Sequence, residues 1–344
     1  MTRPPPRPQQ SEAGRGAGDD RVRPFRTINS GAQGRLIRLG AAAHEILAGH
    51  DYPETVSRVL GEALALAALL GSLLQSQGRL ILQTQTDGPL RQIVVNYTNQ
   101  SAERVGLMRG LANFDAERLE AAIREGRGSA AELIGQGHLA MTIDPGGDQP
   151  RTQGIVPLAN DTLAEAAYTY FRQSEQIPTF VRLAVARLQV RASASAPPVW
   201  IWRAGGLIVQ QLPDDAAGDQ SERGPDPRTA VTETEDDEAR AAYEEDWNRA
   251  RMLASTVEDH ELLDPTLEPD RLLYRLFADE GVIVHDTIGV RAHCGCSRER
   301  VEQLLKTFGS AELSDMRETD GSISVKCEYC STEQRFAPAE VEKL

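Results

Sequence analysis

The spacing of apolar residues predicts mixed helices and strands over the first two thirds of the chain. Residues 53–74 are apolar at helical spacing, and residues 79–84 and 92–97 alternate as strands around the turn Asp87-Gly88-Pro89. Further predictions are strands at 138–143 and 152–158, a helix capped by Asp161 and running to about residue 173, and extended segments at 180–190 and 199–211, the last with a tight turn at Gly205-Gly206. Because no regular βαβ repeat is present, we expect an α+β fold with a core domain at residues 25–212.

Two amphipathic helices are predicted after this core, in a segment (residues 213–285) that we interpret as a helical linker. The first carries a narrow apolar stripe at spacings of three and four residues: Tyr243, Trp247, Ala250, Ala254 and Val257. The second begins at Pro269 and ends before Gly281, with Leu272, Leu273, Leu276 and Phe277 on one face. Such helices are stable only against an apolar surface, so these side chains are interpreted as packing residues.

Acidic residues are concentrated in the same linker. Residues 214–270 contain 19 acidic and 5 basic residues, so their net charge of −14 equals that of the whole chain. We interpret residues 213–238 as a solvated connection, and repulsion among Glu244, Glu245 and Asp246 predicts marginal, metastable docking of the helix that follows. Since clustered Lys and Arg are missing, we expect no nucleic-acid partner.

Composition also bears on location and on catalysis. Residues 1–24 are rich in Pro, Arg and Gly and lack an apolar segment, which predicts a disordered extension rather than a secretory signal. No apolar run reaches the roughly 18 residues that cross a bilayer, so we expect no membrane partner and a cytoplasmic protein with reduced thiols. The sequence contains no glycine-rich phosphate loop, nucleophile elbow or HExxH motif, and its histidines are scattered, so no enzyme active site is predicted.

The remaining residues, 286–344, contain all four cysteines of the chain, as Cys294-Gly295-Cys296 and Cys327-Glu328-Tyr329-Cys330. Two such pairs are the ligand set of a tetrahedral Cys₄ zinc site, so we predict one Zn²⁺ bound by Cys294, Cys296, Cys327 and Cys330. His293 is adjacent, but four thiolates already fill a tetrahedron. Thiolates are also attacked by oxidants, so the same atoms can hold a metal or respond to oxidation.

Short elements are predicted on both sides of each pair. Ser297 can cap a helix over residues 298–308 that Gly309 ends. After the Asp320-Gly321 turn, residues 322–326 alternate as a half-buried strand, and residues 332–336 can return beside it. Residues 327–330 would then form the knuckle of a hairpin, where one metal ion can join the two pairs.

The chain resembles the 33 kDa chaperonin family, the redox-regulated holdase chaperones. The resemblance rests on HCGCSRER at residues 293–300 and VKCEYC at 325–330, with LLYRLF at 272–277 and RAGGLIVQ at 203–210, and it covers roughly residues 25–344. It implies an N-terminal α+β domain, a metastable helical linker and a C-terminal zinc domain. It also implies ATP-independent binding of unfolding client proteins after oxidative stress, dimerisation of the active form, and zinc-binding, oxidation-sensitive roles for the four cysteines. The leader and the acidic insert at 214–238 depart from the family.

A switch mechanism can be argued from the cysteines themselves. Oxidation would most easily join nearest neighbours, Cys294 with Cys296 and Cys327 with Cys330. Those bonds close short rings and add little to the folding stability of the domain. Zinc closes a long loop in a domain that is too small to be stable without a crosslink. Once zinc leaves, the domain should unfold, its contacts with the acidic helices should be lost, and apolar surface should become available to clients.

Three other functions fit parts of the pattern. A constitutive structural zinc ribbon that serves as a protein-interaction module is the main alternative for any Cys₄ set. A nucleic-acid-binding zinc ribbon is disfavoured by the local charges. A thiol–disulfide oxidoreductase fits the CxxC motif, but the thioredoxin-like βαβ context is missing.

Overall fold

The computed structural model describes residues 18–74, 78–100, 103–147, 149–191, 197–211 and 233–341, with only the backbone described for 233–239. Helices and a large sheet are mixed, which confirms the α+β expectation. The main-sheet strands are β1 (Arg21–Thr27), β2 (Gln33–Leu39), β3 (Arg79–Thr86), β4 (Leu90–Gln100), β5 (Val105–Phe114), β6 (Gln136–Asp144), β7 (Thr152–Ala159), β8 (Thr179–Val190), β9 (Val199–Gln210), β10 (Val282–Val284) and β11 (Ile288–Ala292). The helices are α1 (Ala41–Ala48), α2 (Glu54–Gly71), α3 (Ala116–Arg124), α4 (Ala130–Ile134), α5 (Leu163–Tyr170), α6 (Glu233–Ser255), α7 (Asp259–Leu263), α8 (Pro269–Phe277), α9 (Arg298–Leu305), α10 (Ser310–Asp315) and α11 (Pro338–Val341).

The eleven strands form one sheet in the order β7-β6-β3-β4-β5-β11-β1-β2-β9-β8, with β10 also paired to β1. Neighbouring strands are antiparallel except β11 and β5, which are parallel. β11 therefore lies between two halves of the sheet and pairs with both. This strand comes from the segment that was predicted to belong to the zinc domain, only a few residues before its first cysteine.

The predicted helix at residues 53–74 is confirmed as α2, which lies across one face of the sheet. Fourteen of its 18 residues are buried, including every residue from Ala63 to Gly71. Its apolar side chains pack in one cluster with side chains of both halves of the sheet, such as Val95, Met108 and Ile208. A helix that is buried on nearly all sides has a nearly continuous run of apolar residues, and such a run is easily recognised in the sequence.

The linker helices α6, α7 and α8 cover the opposite face of β1, β2, β9 and β8. The predicted stripe is confirmed as far as Ala254, whereas Val257 lies beyond the end of α6 at Ser255 and is buried in the same cluster. The predicted second helix is confirmed as α8, with Pro269 in its first turn. Their buried side chains are Ala250, Ala254, Val257, Leu262, Leu263, Leu272, Leu273, Leu276 and Phe277. These strands are thus apolar on both faces, with α2 on one side and the acidic linker on the other.

The predicted turn at Gly205-Gly206 is wrong, because both glycines lie inside the continuous strand β9. Gly205 pairs with Arg38 of β2 and with Ala184 of β8. A Cβ atom at Gly205 would lie 2.5 Å from the carbonyl oxygen of Leu262. The glycine therefore serves close packing of α7 against the sheet rather than a change of chain direction.

Three predicted boundaries also differ from the structure. β1 begins at Arg21 and buries Val22, so residues 21–24 are not part of a disordered extension; residues 1–17 lie outside the described part of the chain. The α5 cap is Thr162, whose hydroxyl and Glu165 form a capping box, whereas Asp161 accepts a hydrogen bond from the Ala159 amide. The predicted solvated connection at residues 213–238 ends too late, because residues 233–238 belong to α6; residues 212–232 lie outside the described part of the chain.

The C-terminal module contains α9, α10, α11 and a hairpin of β12 (Ile323–Lys326) and β13 (Glu333–Phe336). Ser297 caps α9 as predicted, but the helix ends at Leu305 and Gly309 instead precedes α10. The fully buried apolar side chains are few: Leu305, Leu313, Ile323, Phe336 and Val341. A core of this size gives limited stability by burial alone, and small modules of this kind are commonly stabilised further by a metal ion or a disulfide.

Candidate metal centre and the covered sheet face

The first cysteine pair follows directly from the strand that joins the halves of the sheet. The His293 amide donates to a backbone carbonyl of β5 at 2.7 Å, so pairing continues until Cys294 leaves the sheet. Beyond the pair, the Ser297 hydroxyl accepts from the Arg300 amide and caps α9. The Arg300 guanidinium donates to the Gly295 carbonyl at 2.8 Å, which fixes the loop between the two cysteines.

The second pair forms the predicted knuckle between β12 and β13. The Cys327 amide donates to the Thr332 carbonyl at 2.9 Å, and the Ser331 amide donates back to the Cys327 carbonyl at 2.8 Å. Ser331 adopts a left-handed conformation with φ of 53°, which turns the chain sharply after Cys330. Both sulfurs of the pair are thereby directed to the same side of the hairpin end.

The four sulfur atoms converge as the spacing predicts, with every Sγ within 4.8 Å of the others. The Sγ atoms of Cys294 and Cys327 are 3.6 Å apart, and those of Cys296 and Cys330 are 3.2 Å apart. Thiolates held by zinc through bonds of about 2.3 Å lie about 3.8 Å from one another, so donor set and size both fit that ion. Among the described residues no other group of metal-ligating side chains meets in this way, and His293 is not part of the cluster.

The surroundings of the sulfurs affect their ionisation unequally. Burial raises the pKa of Cys296, and burial also raises the pKa of Cys327. Burial opposes ionisation of Cys330 too, but hydrogen bonding with the Thr332 hydroxyl and amide lowers the pKa of Cys330 to about 7. A metal ligand must be a thiolate, and the hydrogen bonds with Thr332 favour that form at Cys330.

The knuckle is also docked on the core sheet, a contact that sequence reasoning missed. The Arg109 guanidinium of β5 lies 4.0 Å above the ring centre of Tyr329, between the two cysteines of the second pair. In the amide orientation that satisfies all its donors, the Asn96 oxygen accepts from the Tyr329 hydroxyl at 3.3 Å and from Arg109 Nε at 3.1 Å. Ser331 Oγ and the ring of His50, just after α1, are 3.2 Å apart. These contacts reach the core, whereas the sequence predicted contacts with the acidic helices.

A second candidate site is the part of the sheet beneath the linker, which we call the covered sheet face. Its buried apolar members on the strands are Phe25, Leu36, Ala184, Leu207 and Val209, and Phe180 of β8 is partly buried beside them. Two arginines of the same face, Arg38 and Arg203, have exposed fractions of only 2% and 1%. Sequence reasoning missed them, and the one available signal is an arginine at an inward-facing position of an apolar strand.

Both buried arginines hold the linker by its backbone. Arg203 Nε donates to the Leu263 carbonyl at 2.7 Å, and Arg38 Nη2 donates to the Glu261 carbonyl at 2.6 Å. Arg38 also donates to the Leu267 carbonyl. Arg203 forms a bidentate ion pair with Asp19, which is 3% exposed. The guanidiniums thus satisfy linker carbonyls that would otherwise be buried without partners.

The helices in the described part of the chain include none with the length and apolar character of a membrane span.

Comparison with known proteins places the chain among described relatives. The family model described as "Hsp33 protein" matches residues 20–337 of the chain. The 33 kDa chaperonin of Caulobacter vibrioides is 42% identical over 322 residues, which are 93% of this chain and 95% of that protein. The 33 kDa chaperonin of Nitrosococcus oceani is 36% identical over 91% of this chain and 89% of its own length.

A solved structure has the same fold. The crystal structure of the 33 kDa chaperonin from Thermotoga maritima superposes with a TM-score of 0.69 and covers 94% of this chain and 97% of its own. Its sequence identity of 24% supports the fold alone. The family match over nearly the whole chain and the two relatives above 30% identity lead to one conclusion: the chain belongs to the Hsp33 protein family.

Proposed function

We propose that this chain is a redox-regulated, ATP-independent holdase that binds unfolding proteins and prevents their aggregation under oxidative stress. The observation that carries the proposal is the covered sheet face, an apolar surface beneath a removable acidic linker, in a chain whose linker leads directly into an oxidisable cysteine cluster. Membership of the Hsp33 family and relatives named 33 kDa chaperonin support the same function. In this proposal the chain acts by binding and is not an enzyme.

The reduced form is proposed to hold one Zn²⁺ through Cys294, Cys296, Cys327 and Cys330. Convergence of four sulfurs within 4.8 Å and the small core of the module support this assignment. A bound zinc ion would keep the thiolates deprotonated and would join β11 to the β12–β13 hairpin. Apparent zinc-binding free energies are about 10–16 kcal/mol in small zinc domains, comparable to the roughly 8–15 kcal/mol that burial of five apolar side chains supplies to this module.

Oxidation is proposed to convert these ligands into two disulfides, Cys294–Cys296 and Cys327–Cys330. To form each disulfide bond, two thiolates lose two electrons to one hydrogen peroxide molecule. The peroxide O–O bond breaks, and with two added protons the peroxide becomes two water molecules. The closest sulfurs in the reduced cluster belong to different pairs, but in a tetrahedron every sulfur neighbours every other, so proximity does not select the partner. Short intervening chain favours neighbours, and zinc is released because disulfide sulfur is a poor ligand.

The route from the cysteines to the linker runs through the sheet rather than through direct contact. β11 ends two residues before Cys294 and is preceded by β10, which pairs with β1 close to the end of α8. Only four residue pairs join β11 to β5 and two join it to β1. When the module unfolds, the far end of β11 loses its anchor, and the short strands that hold the end of the linker are weakened.

Clients are proposed to bind where the linker was. Displacement of α6, α7 and α8 exposes the apolar residues of the covered sheet face, which is the kind of surface that unfolding chains recognise.

A dimer of the oxidised form and a reducing cytoplasmic location belong to the same proposal, which the resemblance to this chaperone family supports. No nucleic-acid or membrane partner is proposed. The alternative is a zinc module of constant structure that mediates interaction without a switch.

The proposal is tested by light scattering of a thermally aggregating client such as citrate synthase. The reduced, zinc-loaded protein is compared with protein treated with peroxide at elevated temperature, and a variant with all four cysteines changed to serine is treated identically. We expect peroxide to switch on suppression of aggregation in the native protein, whereas the serine variant, which cannot hold zinc, behaves the same before and after peroxide. Equal suppression before and after peroxide, with zinc retained, would instead establish the alternative of a constitutive module.

A further inference from the structure

The covered sheet face is not uniformly apolar, because arginines line one side of it. Strand pairing places Arg23, Leu36, Leu207 and Arg182 in one row across β1, β2, β9 and β8. The next row carries Phe25, Gly34, Val209 and Phe180, and is apolar. On the other side of the Arg23 row lie the buried Arg38 and Arg203. The face therefore has an apolar half and an arginine half.

Each of these four arginines forms an ion pair or a hydrogen bond with the linker. Arg23 pairs with Asp270 at 2.8 Å, and Arg182 pairs with Asp259 at 2.7 Å. Arg38 and Arg203 hold the three linker carbonyls described above. The linker therefore docks by two kinds of contact, apolar side chains in one half and carboxylates or carbonyl oxygens in the other.

Release of the linker would leave these guanidiniums facing solvent beside the apolar half. Asp19 neutralises one of the four through its pair with Arg203, so the uncovered face would be strongly cationic. The described part of the linker that covers it, residues 233–270, contains 14 acidic and 3 basic residues, a net charge of −11. Complementary charge of this kind steers association and rejects partners of the wrong sign.

We infer that the uncovered face selects client segments that resemble the linker, in which apolar residues at helical spacing are bordered by Asp or Glu. The inference rests on the proposed function and adds a chemical preference to it. The apolar half binds the buried side chains of such a segment, and the arginine half binds its carboxylates and the free carbonyls at helix ends. A basic segment of equal hydrophobicity would bury like charges against Arg38 and Arg203, which is costly.

Two synthetic peptides test the preference on the full-length protein. One has the sequence of residues 257–280 with a fluorescein label; the other replaces its eight Asp and Glu residues by Asn and Gln and keeps every apolar side chain. We expect the oxidised protein to bind the acidic peptide roughly tenfold more tightly in fluorescence anisotropy at low salt, with a smaller difference at high salt. The tethered linker competes with both peptides equally, so the ratio is unaffected by it.

A matched pair of variants locates the effect on this face. Arg182 and Arg187 lie on the same strand, but Arg182 pairs with the linker whereas Arg187 pairs with Glu54 of α2 on the opposite face. We expect R182Q to reduce the preference by about two- to threefold and R187Q to leave it unchanged, because a half-exposed ion pair contributes only modestly. Both side chains are partly exposed, so neither variant threatens the fold.

Equal affinity for the two peptides would overturn the inference, as would absence of binding to either peptide. Aggregation assays on the same oxidised sample separate this failure from failure of the proposed function. If the sample suppresses aggregation but shows no preference, the holdase function stands and the charge selection is wrong. If the sample suppresses no aggregation at all, the proposed function itself is wrong.

Discussion

At the scale of single residues, the Cys330 thiol has the most exacting surroundings in the cluster. Hydrogen bonding with Thr332 favours its thiolate, and the left-handed turn at Ser331 fixes its direction. We expect C330S to reduce bound zinc from one ion per chain to a small fraction, because a neutral hydroxyl replaces a thiolate ligand. Atomic absorption of the purified proteins measures this, with S314A on α10 as the control. A C330S protein that keeps a full equivalent of zinc would contradict the ligand assignment.

Arg109 tests whether docking of the knuckle stabilises the module. Its guanidinium stacks on Tyr329 and donates to Asn96, so its loss removes a cation–π contact and leaves a buried amide with fewer partners. We expect R109A to weaken docking by roughly 1–2 kcal/mol and to speed limited proteolysis of the tail, while zinc content stays at one per chain. R91A is the control, since Arg91 makes an exposed ion pair elsewhere. Identical cleavage rates in R109A and R91A would show that the docking contact contributes nothing to the stability of the module.

At the scale of elements, Glu62 of α2 senses the charge of the linker residue Asp259. Burial raises the pKa of Glu62 to about 7, and the linker carboxylate Asp259 adds to the rise while Arg58 opposes it. With a folded-state pKa above the ordinary value, the protonated form is favoured by folding. The stabilising effect is complete below the ordinary pKa of 4.5 and is lost as pH rises through about 7.

Thermal unfolding of the reduced protein at pH 5 and pH 8 follows this titration. We expect the native protein to lose stability on the order of 2 kcal/mol over that interval from this group, and E62Q to lose correspondingly less, because glutamine carries no charge to desolvate. E54Q is the control, since its arginine partners lower the pKa of Glu54 and place its titration below this range. Parallel loss of stability in E62Q and the native protein would refute the role of Glu62.

Features that depend on residues close together in sequence could be predicted from the sequence. Features that depend on packing against distant parts of the chain were harder to predict. The four cysteines and the hairpin knuckle follow from ligand spacing and a strand pattern that lie within a few residues of each other. Gly205 was misinterpreted because a glycine that permits a turn and a glycine that admits a neighbouring carbonyl look the same in sequence. Arg38 and Arg203 were missed because an inward arginine differs from a surface arginine only through its cover.

At the scale of the whole molecule, the chain uses one sheet for three purposes. One face packs against α2 in the main core, and the other is covered by the acidic linker. The strand that unites the two halves of the sheet ends beside the cysteine cluster. In the proposed switch, loss of the metal ion therefore destabilises a distant cover while α2 and most of the sheet stay folded. The cysteine spacing predicted the switch chemistry, but the place of β11 between the halves required the tertiary structure.

Hydrogen exchange measured by mass spectrometry tests this account most directly. Backbone amides are compared between the zinc-loaded protein and the peroxide-treated, zinc-free protein. We predict that protection falls in α6, α7 and α8, in β10 and β11, and in the C-terminal module, while the amides of α2 and of β3 to β5 keep their protection. Linker helices that remain as protected after oxidation as before, in a sample that nevertheless suppresses aggregation, would contradict the claim that cover release creates the binding surface.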